Sequence, residues 1–211
     1  MKSQPTFASF YSTIVGLLGG SLLAAMPAIA HHAFGEAIPR NGFEGFLSGL
    51  AHPIIGFDHF AFVVAIGLLA ATKRQGIWLP IAFLFAALAG AGIHLLSYDL
   101  PAPEVFISAS VLIFGVMLTM QGSLNLLIMI GLGAIAGLFH GYAYGEAIVG
   151  AEMTPLVAYL AGFTAIQLGV ATIAFVVGRL ILKQPDAIGF RYVGLILCGV
   201  GAAFLSSAIF G

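Results

Sequence analysis

The chain has 211 residues, of which 61% are hydrophobic and only 7% are charged. Soluble domains carry about 25% charged residues, and 7 basic and 8 acidic side chains cannot cover the surface of a soluble protein of this size. That excludes a cytosolic enzyme, a disordered chain and a soluble secreted domain, and the net charge of −1 with no basic run argues against nucleic acid as a partner. What remains is an all-α fold, a polytopic membrane helix bundle with lipid as its surroundings.

Residues 1–30 hold one charge, Lys2, then an apolar run from Ile14 to Ala25, Pro27, and the small-x-small ending Ala28-Ile29-Ala30. The run is short for a span, and its flanks are those of a secretory signal peptide cleaved after Ala30. The alternative is an uncleaved extra helix. Cleavage would leave His31-His32 at a free α-amine, a pair able to chelate a divalent transition ion or simply to be solvated.

Residues 31–211 then read as one transmembrane domain of six helices, over about 45–71, 77–96, 104–120, 124–142, 155–182 and 190–210. Lys73 and Arg74 place the first connection in the cytoplasm, and Arg179, Lys183 and Arg191 do the same for the last. The outer loops carry Asp99, Glu104, Glu146 and Glu152, and Arg40 is the one basic residue on the outer side. Six spans with these sides put both mature termini outside. Two inverted halves of three helices are permitted by the pattern and not shown by it. Gly133, Gly137 and Gly141 recur every four residues and mark a close-packing helix face. Cys198 is alone in the chain, so no intrachain disulfide and no paired-cysteine metal site can form.

Ionisable groups inside spans are costly and usually functional. The first span contains Ala51-His52-Pro53-Ile54-Ile55-Gly56-Phe57-Asp58-His59. His94 lies near the outer end of the second span, and the fourth ends in Phe139-His140-Gly141-Tyr142-Ala143-Tyr144-Gly145-Glu146. Counted from the cytoplasmic ends at 1.5 Å per residue, His52, His94 and His140 stand about 24–28 Å up, and Asp58 and His59 about 18–20 Å. These metal-ligand residue types therefore face one compartment, the layout of a site loaded from outside.

A straight helix holds His52 and His59 about 10.5 Å apart along its axis, too far for one ion. Pro53 and Gly56 allow a break that folds His52 toward Asp58 and His59 and frees carbonyls. Otherwise there are two stations, His52 for capture and Asp58-His59 for passage. His94 is either a ligand or a hydrogen-bonded packing residue, and Glu146 a ligand or a solvated loop acid. Thr164, Gln167 and Thr172 in the fifth span are read as making interhelical hydrogen bonds, with pore lining as the alternative.

His52-Pro53-x-x-Gly56-x-Asp58-His59 resembles the signature of the HupE/UreJ family, small bacterial membrane proteins associated with nickel or cobalt uptake beside hydrogenase or urease genes. The N-terminus, the six spans and Phe139-His140-Gly141 fit the same family. The resemblance implies a permease in the bacterial inner membrane that takes nickel or cobalt inward, with metal ligands at the motif residues His52, Asp58, His59 and His140; the residue reading adds His94, Glu146, His31 and His32 as further candidate ligands. It also implies a link to hydrogenase or urease maturation, and leaves a homo-oligomer open. The family's second motif is similar to Phe-His-Gly-x-Ala-His-Gly-x-Glu. Here Tyr144 replaces its second histidine, and Ala147 its glutamate, with Glu146 one place earlier.

The chemistry is consistent with that reading. Nickel and cobalt accept imidazole nitrogen and carboxylate oxygen, and no prosthetic group is implied. Protonated histidine does not bind metal, so uptake should fall at acidic pH unless proton exchange drives it. No phosphate-loop motif is present, which excludes an ATP-driven pump in one chain. The rival reading is an intramembrane zinc hydrolase, which the lack of a His-Glu-x-x-His pair disfavours, so the chain is expected not to be an enzyme. A metal-sensing or metal-handing subunit is the third.

Overall fold

The computed structural model describes residues 38–120, 124–183 and 188–211. The proposed signal peptide, His31 and His32 lie outside the described residues. Among those described, every regular element is an α-helix: α1 Gly42–Ile55, α2 Phe57–Ala71, α3 Trp78–Leu95, α4 Pro103–Thr119, α5 Leu126–Glu146, α6 Met153–Ile181 and α7 Gly189–Phe210.

The first expected span is two helices rather than one, bent by 81° at Gly56. α1 starts three residues earlier than its hydropathy suggests because Asn41 caps it. The Asn41 side chain accepts the Glu44 amide at 2.9 Å, while the Glu44 carboxylate accepts the Arg40 amide at 2.8 Å and the Asn41 side-chain amide at 2.7 Å. At the other end Gly56 turns extended, with ψ 94°. No backbone hydrogen bond joins Phe57, Asp58 or His59 back to Pro53, Ile54 or Ile55, so α1 ends in carbonyls without helical amides. A Cβ on Gly56 would come within 2.5 Å of the His59 ring, which is why a glycine stands at the break.

Glycines fix how the helices meet. α6, 29 residues long, lies along both halves of the broken span. A Cβ on Gly45 would strike the Pro155 backbone, on Gly49 the Tyr159 and Phe163 backbone, on Gly67 that of Ala171, and on Gly178 the Ala71 side chain. Residue numbers rise together along this seam, so α1 and α2 run parallel to α6. From Pro155 to Gly178 is about 35 Å of helix, and α1 and α2 together line that length of α6.

α3 lies parallel on α5 in the same manner. Gly133 meets Leu79, Gly137 meets Phe83, Gly141 meets Ala87 and Gly145 meets Ala91. This is the close-packing face expected from the four-residue glycine spacing. α4 and α7 pair antiparallel, Gly115 against Gly194 and Cys198, and Gly201 against Leu112. Exchanging α1 with α2, α3 and α4 for α5, α6 and α7, in order, leaves this pairing scheme unchanged.

Four helices are long and apolar enough to cross a bilayer, and the bent pair makes five. α4 is also apolar but has only 17 residues, the lower limit for a span. α5 runs four residues further than expected, to Glu146, and so carries Tyr144 into the helix. The main core joins Phe62, Ile66, Leu69, Leu79, Phe83 and Phe114. A second cluster holds Ala87, Tyr144, Ile148, Tyr159 and Phe163, and the polar residues lie where the two meet.

Candidate metal centre

The break at Gly56 sets α2 going in a new direction with His59 in its first turn. His59 is 7% exposed and His140, on α5, is fully buried. Their Nδ1 atoms are 2.8 Å apart. The His140 ring stacks on Phe62 at 4.5 Å between centroids, so its plane is held by the core.

The tautomers follow from the donors around them. Ser110 Oγ donates its one proton to the Ile107 carbonyl at 2.6 Å. Toward His140 Nε2, 3.0 Å away, Ser110 can then only accept. His140 therefore carries its proton on Nε2 and its lone pair on Nδ1, where it accepts from His59 Nδ1. Two donors about 2.1 Å from one ion and a right angle apart would be about 3 Å apart. The two Nδ1 atoms already stand at that spacing. A ring held in its binding tautomer by an outer hydrogen bond is a better ligand, by about 10- to 100-fold in affinity. If the His59–His140 pair holds nickel, Ser110→Ala should weaken that binding about 10-fold or more without unfolding the chain, and Ser110→Thr should restore it. Equilibrium dialysis of the purified variants measures this.

His52 joins the same cluster from α1. Its ring is 6.1 Å from that of His59 and 5.2 Å from that of Tyr144. Tyr159 donates to the Tyr144 carbonyl at 2.8 Å, so toward His52 Nδ1 at 3.2 Å its oxygen accepts. That puts the His52 proton on Nδ1 and its lone pair on Nε2. Both histidines of the first span are thus held by side chains on other helices.

The other candidates are placed differently. Asp58 is half-buried, and its Oδ1 accepts the His59 amide at 2.8 Å. That ties one carboxylate oxygen to the open amides of the first α2 turn, where an acid is favoured. His94 packs on Tyr142 at 4.4 Å, and Tyr142 donates to Asp99 at 3.3 Å. Glu146 is exposed at the end of α5. Among the described residues no three His, Cys, Asp or Glu side chains converge closely enough to hold one ion. The structure brings together His52, His59 and His140, keeps Asp58 beside them through its bond to the His59 amide, and leaves His94 and Glu146 apart.

Ser110 and Tyr159 escaped the sequence reading. A tyrosine in an apolar span is a usable signal, because its hydroxyl needs a partner there. A serine is too common in membrane helices to be one. The expected interhelical bonds of the fifth span are corrected. Thr164 bonds the Leu160 carbonyl at 2.7 Å and Gln167 the Phe163 carbonyl at 3.1 Å, each within α6, while Thr172 is exposed. In both cases the carbonyl one turn back is the nearest acceptor.

The family model described as HupE / UreJ protein matches residues 20–204. Protein HupE of Rhizobium leguminosarum bv. viciae is 27% identical over 183 residues, covering 86% of this chain and 92% of that protein. No solved structure matches. The chain belongs to the HupE/UreJ family, which is a family of transporters and not of enzymes.

Proposed function

We propose that this chain carries nickel or cobalt inward across the bacterial inner membrane, and that His59 and His140 hold the ion on its way. The observation that carries this reading is the pair of buried Nδ1 atoms 2.8 Å apart on two different spans. An ion between them would displace the bridging proton, leaving His59 protonated at Nε2 instead. His52, Tyr144 and Tyr159 border the pair, and Asp58 adds a negative charge in the adjoining turn.

Two imidazoles are few for a resident metal but suit a passing one, since a carrier site must also let go. A third ligand would come from His52 or from water the ion retains. His94, Glu146, and the His31-His32 end would serve as outer capture points. On this reading the membrane is crossed six times, with α1 and α2 as one broken span and both ends of residues 31–211 outside. The broken span places irregular backbone beside the site, as discontinuous helices do in many carriers. The ion would go to nickel enzymes such as hydrogenase or urease, the setting the family resemblance implies.

Purified chain in sealed proteoliposomes should accumulate radioactive nickel or cobalt well above protein-free vesicles. Accumulation no greater than in those vesicles, with the chain folded and inserted, would sink the proposal.

A further inference from the structure

Tyr144 is fully buried, and its hydroxyl has no hydrogen-bond partner among the described residues. A buried hydroxyl without a partner is costly. A phenylalanine would fill the same space at no such cost, as Phe62, Phe83 and Phe163 do nearby. The hydroxyl is therefore placed for a polar group that the folded chain itself does not supply.

Its surroundings indicate which group. Tyr144 follows His140 by four residues on the same face of α5, one turn or about 6 Å nearer the Glu146 end. The two rings pack on His59 from successive turns, His140 at 4.8 Å and Tyr144 at 4.7 Å between centroids. His52 meets Tyr144 edge-on at 5.2 Å, and Phe163, at 5.3 Å, offers no polar atom. The ionisable side chains close enough for their charge to act on the Tyr144 oxygen are Tyr159 and Asp58. These are the residues bonded to the His52 ring and to the His59 amide. The backbone fixes the ring in this place. α5 ends at Glu146 and the Ile148 amide goes to the Gly145 carbonyl, so the Tyr144 carbonyl is left for Tyr159, which donates to it at 2.8 Å.

We propose that the Tyr144 hydroxyl holds a water molecule on the ion bound by His59 and His140, and that it thereby sets which metal the site prefers. This deepens the metal-centre reading above and rests on it. Two imidazoles leave most of a nickel or cobalt sphere to other donors. Water on a divalent ion is a strong proton donor, and the phenol oxygen can accept from it. The next donor on the ion is then an oxygen, where a histidine at 144 would offer a nitrogen. Affinity rises from cobalt to nickel, and more steeply as nitrogen replaces oxygen. Tyr144 thus keeps the two ions closer in affinity, and holds either loosely enough to leave.

The test compares Tyr144→Phe and Tyr144→His with wild type in detergent, using nickel alone and cobalt alone as probes. Affinity is read by equilibrium dialysis, the cobalt sphere by its visible absorption, and folding by thermal unfolding of the metal-free chain. Tyr144→Phe should bind both metals about 10-fold more weakly. Its metal-free unfolding midpoint should equal or exceed that of wild type, because only an unpartnered group is lost. Tyr144→His should bind nickel more tightly than wild type, raise the ratio of nickel to cobalt affinity and change the cobalt absorption. Wild-type affinities in Tyr144→Phe would overturn the proposal and leave the hydroxyl passive. A lowered midpoint beside weaker binding would overturn it too, since the hydroxyl would then be holding the fold. An unchanged metal ratio in folded Tyr144→His would overturn the claim on preference, and if that variant does not fold, Tyr144→Phe decides. Failure of wild type itself to bind either metal would count against the metal centre instead.

Discussion

Replacing either His59 or His140 with alanine should lower nickel affinity by more than about 100-fold and reduce uptake to background, with the chain still folded. Removal of an outer hydrogen bond to a metal-bound histidine costs about 10- to 100-fold, and loss of the ligand itself costs more. The two residues should be equivalent in this test, because each supplies one of the two Nδ1 atoms that stand 2.8 Å apart. The double variant should be no worse than either single one, as expected of groups that act as a unit. His140→Ala also removes a ring stacked on Phe62 and leaves Ser110 facing a void. His140→Asn, of intermediate size, therefore separates lost coordination from lost packing. Folding is read from monodispersity in detergent and uptake from radioactive nickel in vesicles.

The second large effect is on the fold. Gly141→Ala would place a Cβ against the Ala87 backbone, closer than any real contact allows. Backbone cannot give way as a flexible side chain can, so α3 and α5 must separate. Overpacking of this kind costs about 1–3 kcal/mol or more, and the separation acts on His140 at the preceding position. Gly131→Ala, ten residues earlier on the same helix, meets nothing within 4 Å. There the methyl group should stabilise α5 by up to about 1 kcal/mol through helix propensity. Thermal unfolding in detergent should show the two substitutions moving the midpoint in opposite directions.

Much of the cluster was legible in the chain. Hydropathy located the helices to within a few residues, because a bilayer imposes long apolar runs whatever the tertiary packing. His52, His59 and His140 stood out because charge-capable groups are rare in such runs. Pro53 and Gly56 foretold that the first span could break between them, and the break falls at Gly56. The glycine spacing of α5 gave a seam, but not α3 as its partner, since a one-dimensional pattern carries no address.

Asp58 shows the limit most clearly. Its place in a span makes it a ligand candidate on sequence alone. The structure gives it a local task as well, accepting the amide of His59 in a helical turn that exists only because the span is broken. Ser110 and Tyr159 were hidden for a related reason. Their importance lies in which nitrogen of a distant histidine they face, and that is fixed by packing across 30 and 107 positions of sequence.

The central claim is that two imidazoles from different spans meet on one ion. Nickel-edge X-ray absorption of the loaded full-length chain tests it most directly. Scattering from two histidine rings is expected, reduced to one ring in whatever nickel His59→Ala still binds. A nickel environment of oxygen alone, or a spectrum unchanged by His59→Ala, would contradict it.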